Sequence, residues 1–243
     1  MFFALYASRF TLYDPEVIMD NIPKLRMRLR FARLAGAGNM SHLEQIQELR
    51  RIAAGSGLDC CPAKHGRDLV PKMAFGPALS AGCGSRCEYA DLYLAQSCPE
   101  IVVMAKLSAA GSEAFELLSV KRVPVHFPSI EASVSAARYC IEAEPEELVS
   151  RESVDAFLAL ESVPFEKKDR SGAGHTLDAR PLVLGAELDA AAGTLRLVLK
   201  LEPGKNVKPL DVLGLIAGRE AAVKKVVRED LLWLDSKGGL EAI

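Results

Sequence analysis

The feature of this chain best suited to chemistry is a row of arginines that alternates with apolar residues. Residues 25–31 read Leu-Arg-Met-Arg-Leu-Arg-Phe. Side chains of a strand point to opposite faces in turn, so Arg26, Arg28 and Arg30 share one face. Three neighbouring cations repel each other, so we expect this face to be wet or to meet an anion. The candidate nucleic-acid-binding residues are Arg26, Arg28, Arg30, His42, Lys72, Arg196 and Lys200.

His42 is the one candidate for acid–base chemistry in this set. It follows Ser41 at the predicted start of a helix. As a general base it needs a partner and a substrate within hydrogen-bond reach. The alternative is a structural bond to a neighbouring carbonyl, so no catalytic residue is assigned. Asp178 and Arg180 are two residues apart, which predicts one face of a strand and a structural or partner-facing role.

Six cysteines invite a test for a metal site. Radical SAM enzymes hold a [4Fe–4S] cluster with Cys-x3-Cys-x2-Cys. Cys83 and Cys87 have the first spacing, but Ala90 stands where the third cysteine is needed. The chain is therefore not itself predicted to be a radical SAM enzyme. Cys83 and Cys87 remain weak metal candidates, and we expect free thiols, no metal and no cofactor.

Composition indicates a globular protein with a local positive charge. The 243 residues are 49% hydrophobic and 26% charged, with a net charge of −2. Residues 21–72 nevertheless carry ten Lys or Arg against four Asp or Glu. This basic patch fits a polyanion, and an ordinary solvated face is the alternative. Without a secretory signal or an apolar run of membrane-spanning length, we expect a cytoplasmic protein with no membrane partner.

The elements that must position these residues follow from hydrophobic periodicity and turn residues. The first half is predicted to run strand 24–34, a helix capped by Asn39 or Ser41 to 54, loop 59–70, strands 72–79 and 88–95, helix 99–110 and strand 117–127. This βαββαβ order is that of a ferredoxin-like unit. An open sheet of this kind leaves the arginine face free of helices. With only 6% aromatic residues and none evident on that face, phosphate contacts or a protein partner are favoured over base stacking.

The second half is predicted to repeat the plan. Its elements are strand 135–143, helix 145–160, extended segments 164–169 and 177–188, strand 194–202, helix 209–217 and a closing helix or strand over 223–234. We therefore predict an α+β fold of two tandem ferredoxin-like subdomains, 22–130 and 131–243. One larger α+β domain is the alternative.

Several short segments, in this order, resemble the radical-SAM-linked domain family. They are Leu29-Arg30-Phe31, Ser41-His42-Leu43, Phe75-Gly76-Pro77-Ala78-Leu79, Glu88-Tyr89, Asp178-Ala179-Arg180-Pro181 and Lys208-Pro209. That family is a domain of unknown function fused to, or encoded beside, B12-binding-type radical SAM proteins. Its usual Gly-Phe-Asn-Pro-His run is replaced here, because residues 65–72 read His-Gly-Arg-Asp-Leu-Val-Pro-Lys. Any role of the missing Asn and His is therefore not carried over.

The resemblance implies an accessory protein that assists a radical SAM partner. Combined with the basic strand, it leads us to expect RNA, such as tRNA, as a second partner. The alternatives are an RNA-processing or RNA-modifying enzyme that uses His42, and a pure protein–protein adaptor.

Overall fold

The computed structural model describes residues 23–34, 37–168, 174–235, 237 and 239–243. These residues form an α+β fold, as predicted. The strands are β1 (Leu25–Arg33), β2 (Pro62–His65), β3 (Asp68–Pro71), β4 (Met73–Phe75), β5 (Gly84–Leu94), β6 (Phe115–Val123), β7 (Ala136–Glu142), β8 (Pro164–Lys168), β9 (Gly174–Asp178), β10 (Val183–Asp189), β11 (Thr194–Lys200), β12 (Lys225–Leu234) and β13 (Leu240–Ala242). The helices are α1 (His42–Gly55), α2 (Glu100–Ala109), α3 (Ile130–Ser133), α4 (Arg151–Ala159) and α5 (Pro209–Ala217), with a 3-10 turn at Arg180–Leu182.

Nine of these strands form one sheet. Its order is β10-β11-β7-β12-β5-β1-β6, with β4 beside β5 and β13 beside β12. The pairs are antiparallel except β12–β5, which is parallel. The first half pairs as β6-β1-β5-β4 and the second as β12-β7-β11-β10, so both halves order their strands in the same way. The division into two tandem ferredoxin-like subdomains stays a prediction, because the β12–β5 pairing makes the sheet continuous.

The apolar side of β1 packs as its alternation predicts. Leu25, Met27, Leu29 and Phe31 are buried in a core with Leu49 and other residues of α1 and α2. A second core lies between β7, β11 and β12 and the helices α4 and α5. Burial of these side chains is the main favourable contribution to folding.

The start of α1 is fixed by a capping box. The Ser41 hydroxyl accepts a hydrogen bond from the Glu44 backbone N–H at 3.3 Å, and the Glu44 carboxylate accepts one from the Ser41 N–H at 2.7 Å. Two backbone donors at the helix start are thereby satisfied. Of the two predicted caps, Ser41 is the correct one, and His42 is the first helical residue.

Several segments differ in extent or type from the sequence prediction. The predicted loop 59–70 contains the hairpin β2–β3, which turns at Gly66 with φ +62°. Strand β6 ends at Val123, because Pro124 has no N–H to donate to the sheet. The closing segment, for which a helix or a strand was predicted, is strand β12. Within the described residues, every helix is too short or too polar to cross a bilayer.

Candidate functional site

The arginines of β1 share one face of the sheet, as predicted. In the pairing with β5, Arg26 lies opposite Tyr93, Arg28 opposite Asp91, and Arg30 opposite Tyr89. We call the side of the sheet that carries these residues, opposite the core formed with α1 and α2, the polar face.

The anion that the arginines meet belongs to their own chain. Asp91 is fully buried, and its Oδ2 accepts a hydrogen bond from Arg26 Nε at 2.9 Å and a second from Arg26 Nη2. Its Oδ1 accepts from Arg28 Nε at 2.9 Å. Arg26 also donates to the carbonyls of Phe127 at 2.6 Å and Pro128 at 2.8 Å. Arg26 is only 1% exposed and is therefore inaccessible to an external ligand. The charge repulsion expected along β1 is compensated by Asp91 of the same chain.

Part of the polar face stays open. Arg30 is half-buried and makes no ion pair among the described residues, and its Nε is buried without a partner. Lys121 of β6 lies opposite Arg28 and is exposed. Lys72 lies with its Nζ 5.1 Å from the centre of the half-buried Tyr93 ring. The face therefore combines free cations with an aromatic ring.

Sequence reasoning missed the two tyrosines on this face. Tyr89 and Tyr93 alternate with buried apolar residues of β5, and that alternation was the available signal. Only the register between β1 and β5 shows that they lie beside the arginines.

The strand pairing shows that the polar face continues into the second half of the chain. Arg196 lies opposite Cys140, Cys140 opposite Val227, and Val227 opposite Gly84 of β5. Residues paired across neighbouring strands share a face. Arg196 contacts Glu229 at 3.4 Å, so its charge is partly compensated. Lys200, also on β11, forms an ion pair with Glu202.

A buried ion pair joins the halves where β5 meets β12, which we call the seam. Arg228 Nη2 donates to both oxygens of Glu88, at 2.5 and 2.7 Å, and Arg228 Nε donates to Oε1 at 3.0 Å. The two residues are 0% and 2% exposed. Arg228 Nη2 also donates to the Pro77 carbonyl at 3.0 Å, and Nη1 to the Ala78 carbonyl at 3.4 Å. Burial acts to lower the pKa of Arg228, but Glu88 together with Tyr139 and Cys87 outweighs it and the pKa is raised.

Arg33 and His42 lie beside this ion pair. Arg33 is buried and donates to the carbonyls of Ala37, at 2.7 Å, and Met40, which fixes the turn before α1. Burial lowers the pKa of His42, opposed by Glu88 and reinforced by the cations of Arg228 and Arg33. His42 is therefore neutral at pH 7. Its Nδ1 is buried and has no partner within the described residues, so the pairing that a general base requires is not formed there.

Three segments that suggested the family resemblance converge on the seam. Pro77 and Ala78 supply carbonyls, Glu88 supplies the carboxylate, and His42 lies within electrostatic reach. Arg228, which completes the cluster, was missed from the sequence. Its signal was a lone arginine after the apolar pair Val226-Val227.

The other predicted residues have structural positions. Asp178 Oδ1 accepts from the N–H groups of Val163 at 2.8 Å and Arg180 at 3.0 Å. The Arg180 guanidinium donates to the carbonyls of Leu158, at 2.7 Å from Nη2, and Val183, at 2.8 Å. Contrary to the prediction, the two residues do not share one face of a strand, because Asp178 ends β9 and Arg180 begins the 3-10 turn.

Cys83 and Cys87 are buried thiols. Burial raises the pKa of Cys87 to about 12, and its Sγ contacts the Arg228 carbonyl oxygen at 3.5 Å. Burial also raises the pKa of Cys83. A protonated thiol is a poor metal ligand. In the part of the chain that the structure describes, no three His, Cys, Asp or Glu side chains are grouped to hold a metal ion.

Comparisons with known proteins identify a family and little else. A family described as "Uncharacterized protein conserved in bacteria (DUF2344)" matches residues 26–209. No curated protein matches the chain. Among solved structures, the chain is similar to one in "Crystal Structure of a Cbf5-Nop10-Gar1 Complex", with 12% sequence identity and a TM-score of 0.42. That match covers 87% of this chain and 50% of the other, so the chain spans about half of the solved chain that it matches.

Proposed function

The chain belongs to the bacterial family DUF2344, and from that premise we propose that it is an accessory protein that binds RNA through the polar face and assists a radical SAM enzyme. The observation that carries the RNA part is the set of uncompensated cations on the face that also holds Tyr93. Lys121 is exposed, and Arg30 has no ion pair among the described residues. Cations hold phosphates, and an aromatic ring stacks a base without sequence preference.

The radical SAM part rests on the resemblance of the motif segments. Those segments build the seam, where Glu88 and Arg228 are both buried. This cluster stabilises the fold and leaves no reactive constellation around His42. An accessory role therefore fits better than an enzyme that uses His42, which begins α1 on the opposite side of the sheet from Lys121.

RNA binding is tested by fluorescence anisotropy with labelled bulk tRNA at several salt concentrations. The informative variant is Lys72→Gln/Lys121→Gln, because neither side chain is part of a buried network. Each phosphate contact contributes about 0.7 to 0.9 to the slope of log K against log salt. We expect weaker binding and a slope shallower by about 1.4 to 1.8.

The matched control is Arg151→Gln on α4, which also removes a surface cation. Arg151 is exposed and lies 3.8 Å from Asp155. Binding equal in the double variant and the control would refute the polar face as the RNA surface. Absence of any tRNA binding would favour the protein–protein adaptor.

The partner is tested by co-expression with a radical SAM protein encoded beside a DUF2344 member. We expect the two proteins to co-purify at fixed stoichiometry. Failure to co-purify at low salt would remove the radical SAM part and leave the RNA part standing.

A further inference from the structure

A second basic feature lies on the polar face at the seam, where the ends of β1, β5, β6 and β12 meet. It is a cavity of about 660 Å³. Ligand pockets in proteins typically measure roughly 300 to 1,000 Å³. Its lining is Arg30, Ala32, Arg33, Leu34, Gly38, Gly82, Cys83, Gly84, Ser85, Arg86, Glu116, Leu118, Lys225 and Val227.

The charge of this lining is unbalanced. Arg30, Arg86 and Lys225 make no ion pair within the described residues, and Glu116 is the one acid of the lining. Arg33 adds a fourth cation, although its guanidinium is bound to the turn before α1. A concave site lined by one sign of charge concentrates ligands of the opposite sign.

One donor in the lining points to a missing acceptor. Arg30 Nε is buried and has no hydrogen-bond partner within the described residues, as is the case for Arg33 Nε. Donors that protein groups leave unpaired are usually satisfied by a ligand or water. Arg30 lines the cavity and makes no ion pair within the described residues, so its guanidinium is left to bind an anion there.

The other residues of the lining determine which kind of group, attached to the anion, fits the cavity. Gly82 and Gly84 keep side chains out of the wall, and Gly82 has φ +81°, which disfavours any replacement. Leu34, Leu118 and Val227 supply apolar surface. Cations beside an apolar wall suit a phosphate group attached to a flat or apolar body.

We propose that the seam cavity binds a phosphate-bearing small molecule of nucleotide size, with its phosphate held by Arg30, Arg86 and Lys225. This site shares Arg30 with the proposed RNA surface but goes beyond it, because Arg86 and Lys225 line the cavity whereas Lys72 and Lys121 are outside its lining. The same chemistry is available from a free nucleotide or from a nucleotide unit of RNA, and the experiment separates the two.

The test is isothermal titration calorimetry of the full chain with pyrophosphate and with AMP at low salt. Variants are Arg86→Gln/Lys225→Gln and, as the control outside the cavity, Lys72→Gln/Lys121→Gln. Arg86 and Lys225 are exposed, so the fold is expected to persist, which a thermal melt checks. We expect AMP to bind at one site per chain, at least tenfold more weakly in the cavity variant and within twofold in the control.

Each other outcome overturns the proposal. No AMP binding, or binding unchanged in the cavity variant, removes the nucleotide site and leaves the RNA proposal untouched. If tRNA binding falls in the cavity variant while AMP does not bind, the cavity belongs to the RNA surface instead. If AMP binding follows Lys72 and Lys121 and not Arg86 and Lys225, the ligand lies elsewhere on the polar face.

Discussion

Removing the carboxylate at the seam is expected to destabilise the chain strongly. Glu88→Ala leaves Arg228 fully buried with two carbonyl partners and no opposite charge. Breaking a buried ion pair from one side costs about 3 to 5 kcal/mol. At about 2 to 4 °C per kcal/mol for a chain of this size, the melting temperature falls by about 6 to 20 °C.

A double-mutant cycle tests the reasoning behind that magnitude. Glu88→Leu and Arg228→Met each strand one buried charge and cost about 3 to 5 kcal/mol alone, so the single losses sum to about 6 to 10 kcal/mol. Glu88→Leu/Arg228→Met leaves no buried charge but strands the carbonyls of Pro77 and Ala78 and the hydroxyl of Tyr139, at about 1 to 3 kcal/mol each. At the midpoints of these ranges, about 8 kcal/mol for the sum and about 6 kcal/mol for the double variant, the double variant is expected to be more stable than the sum by about 2 kcal/mol.

The assay is urea unfolding followed by the fluorescence of Trp233, the one tryptophan of the chain, which lies on the same strand as Arg228. The matched control is the neighbouring pair Arg138–Asp230, which also bridges β12 but has side chains 39% and 28% exposed. Exposed pairs contribute about 0 to 1 kcal/mol. A loss below 1 kcal/mol for Glu88→Ala, or strictly additive variants, would refute the account of the seam.

Three further outcomes follow from buried groups. Asp91→Asn is expected to lower the free energy of unfolding in urea by about 3 kcal/mol or more, because Arg26 stays buried without its carboxylate partner. Asp155→Asn on the surface of α4 is expected to lower it by less than about 1 kcal/mol. Equal effects would contradict the conclusion that Asp91 compensates the charge of the β1 arginines. Burial lowers the pKa of His42 in the folded chain. Its contribution to the free energy of unfolding is therefore complete above pH 6.5 and is lost as the pH falls through the lower pKa of the folded state. Between pH 7.5 and 5, the free energy of unfolding of His42→Gln should therefore fall less steeply than that of the unchanged chain. Parallel pH profiles of the two proteins would show that His42 makes no such contribution. Cys87, with a pKa raised to about 12 by burial, should resist iodoacetamide at pH 8 in the native chain and react in guanidinium, as read by mass spectrometry; fast native labelling would contradict its burial.

Local patterns were sufficient for much of the fold. Alternation placed Leu25, Met27, Leu29 and Phe31 in the core, and Ser41 marked the start of α1. These are short-range effects, encoded within a few residues. The hairpin β2–β3 was not predicted, because Lys64–Gly66 have the composition of a loop, although Gly66 supplies the turn of the hairpin.

The exposure and ion-pair partners of the arginines could not be predicted from local patterns. Whether Arg26 faces water depends on Asp91, which is 65 residues away and enters through the β1–β5 register. Arg228 and Glu88 are 140 residues apart, and no local pattern links them. Ion-pair partners of this kind are set by sheet topology, so a row of cations in sequence does not establish an open basic surface.

The seam also has a consequence for how the chain is made. Glu88 emerges from the ribosome 140 residues before Arg228, which at about 5 to 20 residues per second is a delay of about 7 to 30 s. During that time the start of β5 lacks its β12 neighbour and the carboxylate lacks its guanidinium. Pairing of β5 with β12 therefore waits until the second half has been translated, and until then the start of β5 is an unpaired strand edge that is open to chaperones and to aggregation.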